Sequence, residues 1–129
     1  MILLDTHVVI WLAFAPEKLS KRAKEVIREE RRQGGLAIAA ITLLELAWLA
    51  ENGRIETTLS VESLVRTCAS KTTVLPITPE IAARAVSLPP AYPKDPQDRL
   101  IGATALVEGI PLVTHDKRIK KSGIVSVIW

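Results

Sequence analysis

Residues 1–4, MILL, form an unbroken apolar run that stops on Asp5. Consecutive apolar positions without alternation suit a short strand buried on both faces of a parallel sheet. Residues 6–13 predict a first helix. Residues 20–33 predict a second, with Ala23, Val26 and Ile27 as its apolar stripe and Gly34-Gly35 as its stop. Leu36–Ala40 predicts another strand. Thr42 then opens a helix that Gly53 ends, residues 60–70 predict a fourth helix, and residues 73–77 a strand. Thr78-Pro79-Glu80 has the form of a helix start, with Thr as cap and Pro at the first helical position. A Pro-rich loop covers residues 89–96. The following helix, Gln97–Glu108, is apolar on nearly every face, which predicts burial, and Gly109 stops it. PLVT at 111–114 predicts a strand, residues 116–121 a short basic turn or helix, and residues 124–128 a last strand. Strands alternating with helices require right-handed crossovers, so the pattern predicts the α/β class with a parallel sheet covered on both faces.

A chain of 129 residues fits one domain, taken here as residues 1–129. Aromatic residues make up only 4%, so the core must come mainly from Leu, Ile, Val and Ala, and Trp11 and Trp48 are expected within it. Cys68 is the sole cysteine, which excludes an intrachain disulfide and suits a reducing compartment. The opening segment lacks a basic lead and carries Asp5 within its apolar run, unlike a signal peptide. No uncharged apolar stretch approaches the roughly 18 residues of a membrane span. The expectation is a soluble, cytoplasmic protein with no membrane partner.

The acids change the picture most. Two predicted strands lead directly into one: MILL into Asp5, and PLVTH into Asp116. Ligands of open parallel sheets bind beyond the carboxyl ends of the strands, so both acids fall on the edge where a site belongs. Glu45 and Asp98 fall in the first turns of predicted helices and are placed to face the same edge. Clustered carboxylates raise one another's pKa unless a cation compensates them. An all-oxygen set suits Mg²⁺ or Mn²⁺, and no Cys/His cluster offers a zinc site. Such metals serve phosphoryl chemistry, so the residues reach a metal-assisted phosphodiester hydrolase. Each acid also has a plainer reading. Asp5 fits a helix cap, Thr42-Leu-Leu-Glu45 fits a capping box, Asp98 lies in a helix opening that Asp95 caps, and Asp116 fits a turn.

Charge supports the chemistry. Setting those four acids aside leaves ten against 17 Lys and Arg, a basic surround suited to a polyanion. Arg99, Lys117, Arg118, Lys120 and Lys121 are the candidate phosphate contacts. Their alternatives are an ion pair of Arg99 with Asp95 and a solvated basic turn for the rest.

The chain resembles PIN-domain proteins, and in particular the VapC toxins of toxin–antitoxin pairs. The likeness rests on LLDTHVVIWL at 3–12, AITLLELAWLAENGRI at 40–55 and DPQDRLIGATALVEGIPLVTHD at 95–116. The resemblance implies a three-layer α/β/α sandwich with a central parallel sheet. It also implies Mg²⁺- or Mn²⁺-dependent endoribonuclease activity on Asp5, Glu45, Asp98 and Asp116. Thr6 and Thr114 match places where the family often has a hydroxyl near the metal, and Asp95 is expected as a supporting cap. His7 and His115 flank the acids, but in this family metal-bound water does the work of a base. The resemblance further implies an RNA substrate, a VapB-type antitoxin and a homodimer. The alternatives are a housekeeping PIN-domain RNA-processing nuclease and a catalytically silent PIN binding module.

Overall fold

The computed structural model describes all 129 residues. Its centre is β1 (Ile2–Leu4), fully buried as the unbroken apolar run requires. Two helices, α1 (Thr6–Phe14) and α2 (Lys21–Arg32), carry the chain back to β2 (Leu36–Ala39) beside it. Next come α3 (Ala40–Glu51), α4 (Val61–Ala69) and the edge strand β3 (Thr73–Leu75). The chain then recrosses the sheet through α5 (Pro79–Ser87) and α6 (Pro96–Glu108) to β4 (Leu112–Val113) on the other side of β1. A short α7 (Lys117–Ser122) leads to β5 (Val127–Ile128). The strand order is β3-β2-β1-β4-β5 and all four pairings are parallel.

The two-residue period of β1 divides the core. Ile2 and Leu4 face one layer, where they meet Val8 and Val9 of α1, Ala23 and Ile27 of α2, Leu46 of α3 and Leu64 of α4. Leu3 faces the other, with Ile101 and Ala105 of α6 and Ile119 of α7. The result is the expected three-layer α/β/α sandwich around a parallel sheet.

Several boundaries differ from those the sequence predicts. Helix α3 begins at Ala40, with no side-chain cap, and not at Thr42. Thr42 therefore lies inside the helix, fully buried, and the capping-box reading of Glu45 is overturned. β3 stops before Pro76 and β4 starts after Pro111, because proline has no N–H to donate to a ladder. β5 keeps only residues 127–128 of the predicted 124–128. Trp48, expected in the core, is half exposed on α3.

Candidate active site

From β1 the chain builds outward to β2 and β3, then returns to place β4 on the opposite side. The direction of strand order thus reverses between β1 and β4, the position where open α/β sheets form their crevice. Asp5 ends β1 at that point. Its backbone N–H extends the ladder to Val113, its Oδ1 caps α1 by accepting from the Thr6 amide at 2.8 Å, and its Oδ2 accepts from the Thr114 hydroxyl at 2.6 Å. The cap reading of Asp5 is thus correct without being the whole of its environment. Thr114, just past β4, also accepts from the Asp116 amide at 3.0 Å, so one hydroxyl fixes both strand-end acids.

A second relay positions Glu45. It sits in the second turn of α3, beyond the first turn that the sequence predicts. The Thr6 hydroxyl donates to Glu45 Oε1 at 2.7 Å and lies 3.1 Å from the Thr42 hydroxyl. A hydroxyl has one proton to give, so Thr42 donates to Thr6 and Thr6 to Glu45. Both threonines are buried, which keeps the relay free of competing water.

Asp98 lies in the first turn of α6, whose amide at Gln97 is capped by Asp95 at 2.9 Å, as the helix-opening pattern predicts. Its backbone is held by a contact the sequence does not announce: the buried Tyr92 hydroxyl donates to the Asp98 carbonyl at 2.9 Å. Tyr92 passes so close to Gly102 that a Cβ there would collide with the phenol ring. The tyrosine and the glycine together lock the Pro-rich loop against α6. Only the close approach of a distant ring requires this glycine, so no local pattern could reveal it.

Asp5, Glu45, Asp98 and Asp116 line one open cleft of about 660 Å³. Burial raises the pKa of Asp5 above the ordinary carboxyl range, against the pull of Thr114 and Thr6. Burial is also the main cause that lifts Glu45 to about 7, with the neighbouring charges of Asp5 and Asp98 adding to it. Asp98 is lifted to about 6 by burial, then by Asp5 and Asp95. Asp116 behaves differently. Burial pushes it up, but the hydrogen bonds and charge of Arg118 outweigh burial and hold the carboxyl below its ordinary value.

Arg118 grips Asp116 through Nε at 3.3 Å and Nη2 at 2.9 Å, and the same Nη2 lies 3.7 Å from Asp98. It lines the cleft with Lys117, whereas Lys120 and Lys121 point to solvent outside it. Arg99 departs from both readings given for it. It neither pairs with Asp95 nor enters the cleft, but donates to the carbonyls of Ala85 and Leu88 at 3.2 and 3.1 Å, closing the C-terminal end of α5.

No three of the His, Cys, Asp and Glu side chains converge into a ready-made metal shell. Chemically, however, the donors fit a hard divalent cation. They are all oxygen, three are desolvated and mutually destabilised as anions, and two are oriented by hydroxyls from behind. Arg118 is the only cation that already touches the group.

Fold and site together define the class: residues 2–124 match the PIN-domain family model, and the chain belongs to that family. More particularly, it is 44% identical over 119 residues to Ribonuclease VapC22 of Mycobacterium tuberculosis, covering 92% of this chain and 89% of that protein. A toxin–antitoxin complex from Klebsiella pneumoniae contains a chain superposing with a TM-score of 0.65 at 25% identity, over 92% of this chain and 89% of that one. VapBC2 from Rickettsia felis, bound to a DNA fragment from its promoter, gives a TM-score of 0.75 at 16% identity, over 98% and 97% of the two chains. The last likeness concerns the fold alone.

Proposed function

We propose that this protein is a metal-dependent endoribonuclease that serves as the toxin of a VapBC-type toxin–antitoxin pair. The observation that carries the reading is the single cleft at the sheet's switch point that Asp5, Glu45 and Asp98 line, with pKa values raised by burial and mutual repulsion. Such a group is suited to hold Mg²⁺ or Mn²⁺. The 44% identity to a VapC ribonuclease supports RNA as the substrate, and the likeness to a toxin–antitoxin complex supports an antitoxin partner. A homodimer belongs to the same reading, and the half-exposed Leu44 and Trp48 of α3 provide apolar surface for it.

Each residue has a defined task in this reading. Asp5, Glu45 and Asp98 supply carboxylate oxygens, and Asp116 adds a fourth once Arg118 turns away. Thr114 and Thr6 fix which oxygens of Asp5 and Glu45 face the cleft. A bound Mg²⁺ or Mn²⁺ would supply a water of lowered pKa and charge stabilisation for the leaving oxygen. Lys117 and Arg118 stand where a phosphodiester would enter, suited to neutralise its charge and hold it in line. Tyr92 and Gly102 keep Asp98 at its distance from the others. Because a hydrolase of this kind needs no base from the protein, His7 and His115 are left without a proton-transfer role.

The test is cleavage of a labelled RNA pool by antitoxin-free protein with Mg²⁺, Mn²⁺ or EDTA, alongside Asp5→Asn and Glu45→Gln. Cleavage that requires metal and disappears in both variants supports the reading. A folded wild-type protein that cuts no RNA under any of these conditions contradicts it.

A further inference from the structure

Both histidines and two of the three tryptophans of this chain gather in one aromatic ridge. His115 stacks parallel on Trp129 with ring centroids 5.0 Å apart. Trp11 tilts against both, at 5.6 Å from His115 and 5.8 Å from Trp129, and His7 lies 6.1 Å from Trp11. In a chain with so few aromatic residues, this concentration stands out from ordinary core packing. The layering is also unlike a core. The indoles are half-buried and rest on the apolar layer beneath the sheet, while both imidazoles are exposed above them.

The ridge lies on the path to the acids. His7, Trp11 and His115 line the same cleft as the four carboxylates. His7 and Trp11 also line a second groove of about 810 Å³ with Phe14, Lys18 and Arg54, in which Glu56 is the one acid against two cations. Acidic cleft, aromatic ridge and cation-bearing groove are therefore consecutive.

From this arrangement we propose that the ridge is a nucleobase-stacking subsite for single-stranded RNA. A base beside the reacting phosphodiester lies on the exposed imidazole of His115 or His7, and Trp129 and Trp11 hold those rings in place. The strand then continues into the second groove, where Lys18 and Arg54 meet its phosphates. Aromatic faces select unpaired bases because a paired base is already stacked in its duplex. The histidines act here through their ring faces, as binding and not proton-transferring groups. This inference rests on the ribonuclease reading above and adds to it the residues that hold a base beside the reacting bond.

The test uses the full chain in EDTA, titrated with end-labelled single-stranded RNA, the same strand carrying abasic positions, and its duplex, read by fluorescence anisotropy. Quenching of tryptophan fluorescence in a Trp48→Phe background reports contact with the Trp11–Trp129 pair alone. Metal-supported cleavage of the same strands is measured in parallel. Wild type is expected to prefer the intact single strand over both other probes. The double variant His7→Ala/His115→Ala is expected to lose that preference with binding weaker by roughly ten-fold or more, the scale of one lost stacked base. Its cleavage should show a raised KM with kcat little changed, and His7→Phe/His115→Phe should restore binding. Equal affinity for intact and abasic strands, or alanine variants that bind and cleave as wild type does, would overturn the subsite while leaving the nuclease intact. A wild-type protein that neither binds nor cuts RNA would overturn the ribonuclease reading itself, and the subsite with it.

Discussion

The floor and the rim of the cleft are both acidic, yet they meet their charge in opposite ways. On the rim, Asp116 receives two backbone amides and a bidentate guanidinium from its own helix, and its carboxyl is held below the ordinary range. On the floor, Asp5, Glu45 and Asp98 accept hydrogen bonds from hydroxyls or an amide at most, and all three are pushed above it. The rim acid is compensated by the residues two and three positions after it, Arg118 and Ile119. The floor acids come from three separate elements, and the one full positive charge near them, Arg118, stands 3.7 Å from Asp98 and does not offset its burial. A site assembled in this way is electrostatically incomplete, and a divalent cation is the natural complement.

Removing a floor acid should have the largest effect. Asp5→Asn should reduce RNA cleavage by more than about 100-fold, beyond what loss of an outer hydrogen-bond partner usually causes, with the circular dichroism spectrum unchanged. Thr114→Val should lie below it, at roughly 10–100-fold in activity or Mn²⁺ affinity, since it frees Asp5 and the Asp116 amide without removing a ligand. Gly102→Ala should destabilise the fold by about 1–3 kcal/mol by forcing Tyr92 away from α6, while Tyr92→Phe should lose only about 1 kcal/mol, both measured by urea unfolding.

Stability against pH gives a subtler contrast. Folded Glu45 and Asp98 keep their protons up to about 7 and about 6, where the unfolded groups would have released them above their ordinary 4.5 and 3.8. The folded state therefore binds more protons through this window. The stability this contributes is complete below the unfolded values and is lost as pH rises through the folded ones. Metal-free protein should melt at a lower temperature near pH 8 than near pH 5, and both Mn²⁺ and Glu45→Gln should reduce that difference. Asp116 acts with the opposite sign but only below its ordinary 3.8, outside that window. The smallest effect belongs to the rim. Arg118→Ala should leave the melting temperature nearly unchanged and let the Asp116 carboxyl titrate closer to its ordinary value, as followed by NMR.

Most of this architecture is legible before folding, and for a physical reason. A short apolar run broken by an acid states both that a strand is buried and where it ends, which locates Asp5 and Asp116 on one edge. The opening of α6 is equally plain, because Asp95 and Pro96 are a local start signal. What stays hidden depends on distant partners. Thr42 resembles a cap because α3 begins without one, and its hydroxyl instead serves Thr6 on the neighbouring α1. Arg99 sits next to a site acid yet turns toward the end of α5, a direction set by carbonyls ten or more residues earlier. The ridge is half visible: His7 and Trp11 are four residues apart on α1, but nothing local brings His115 and Trp129 to them.

Calorimetric titration of Mn²⁺ into the metal-free protein near pH 6.5, in two buffers of different ionisation enthalpy, shows directly whether the floor acids take up a cation. Floor acids that hold protons for want of a cation should bind the metal and release those protons, so the heats in the two buffers should differ. Glu45→Gln should weaken binding and remove most of that difference. Absence of Mn²⁺ binding, or binding with no proton release and no response to Glu45→Gln, would contradict the claim that the floor of this cleft is built to be completed by a metal.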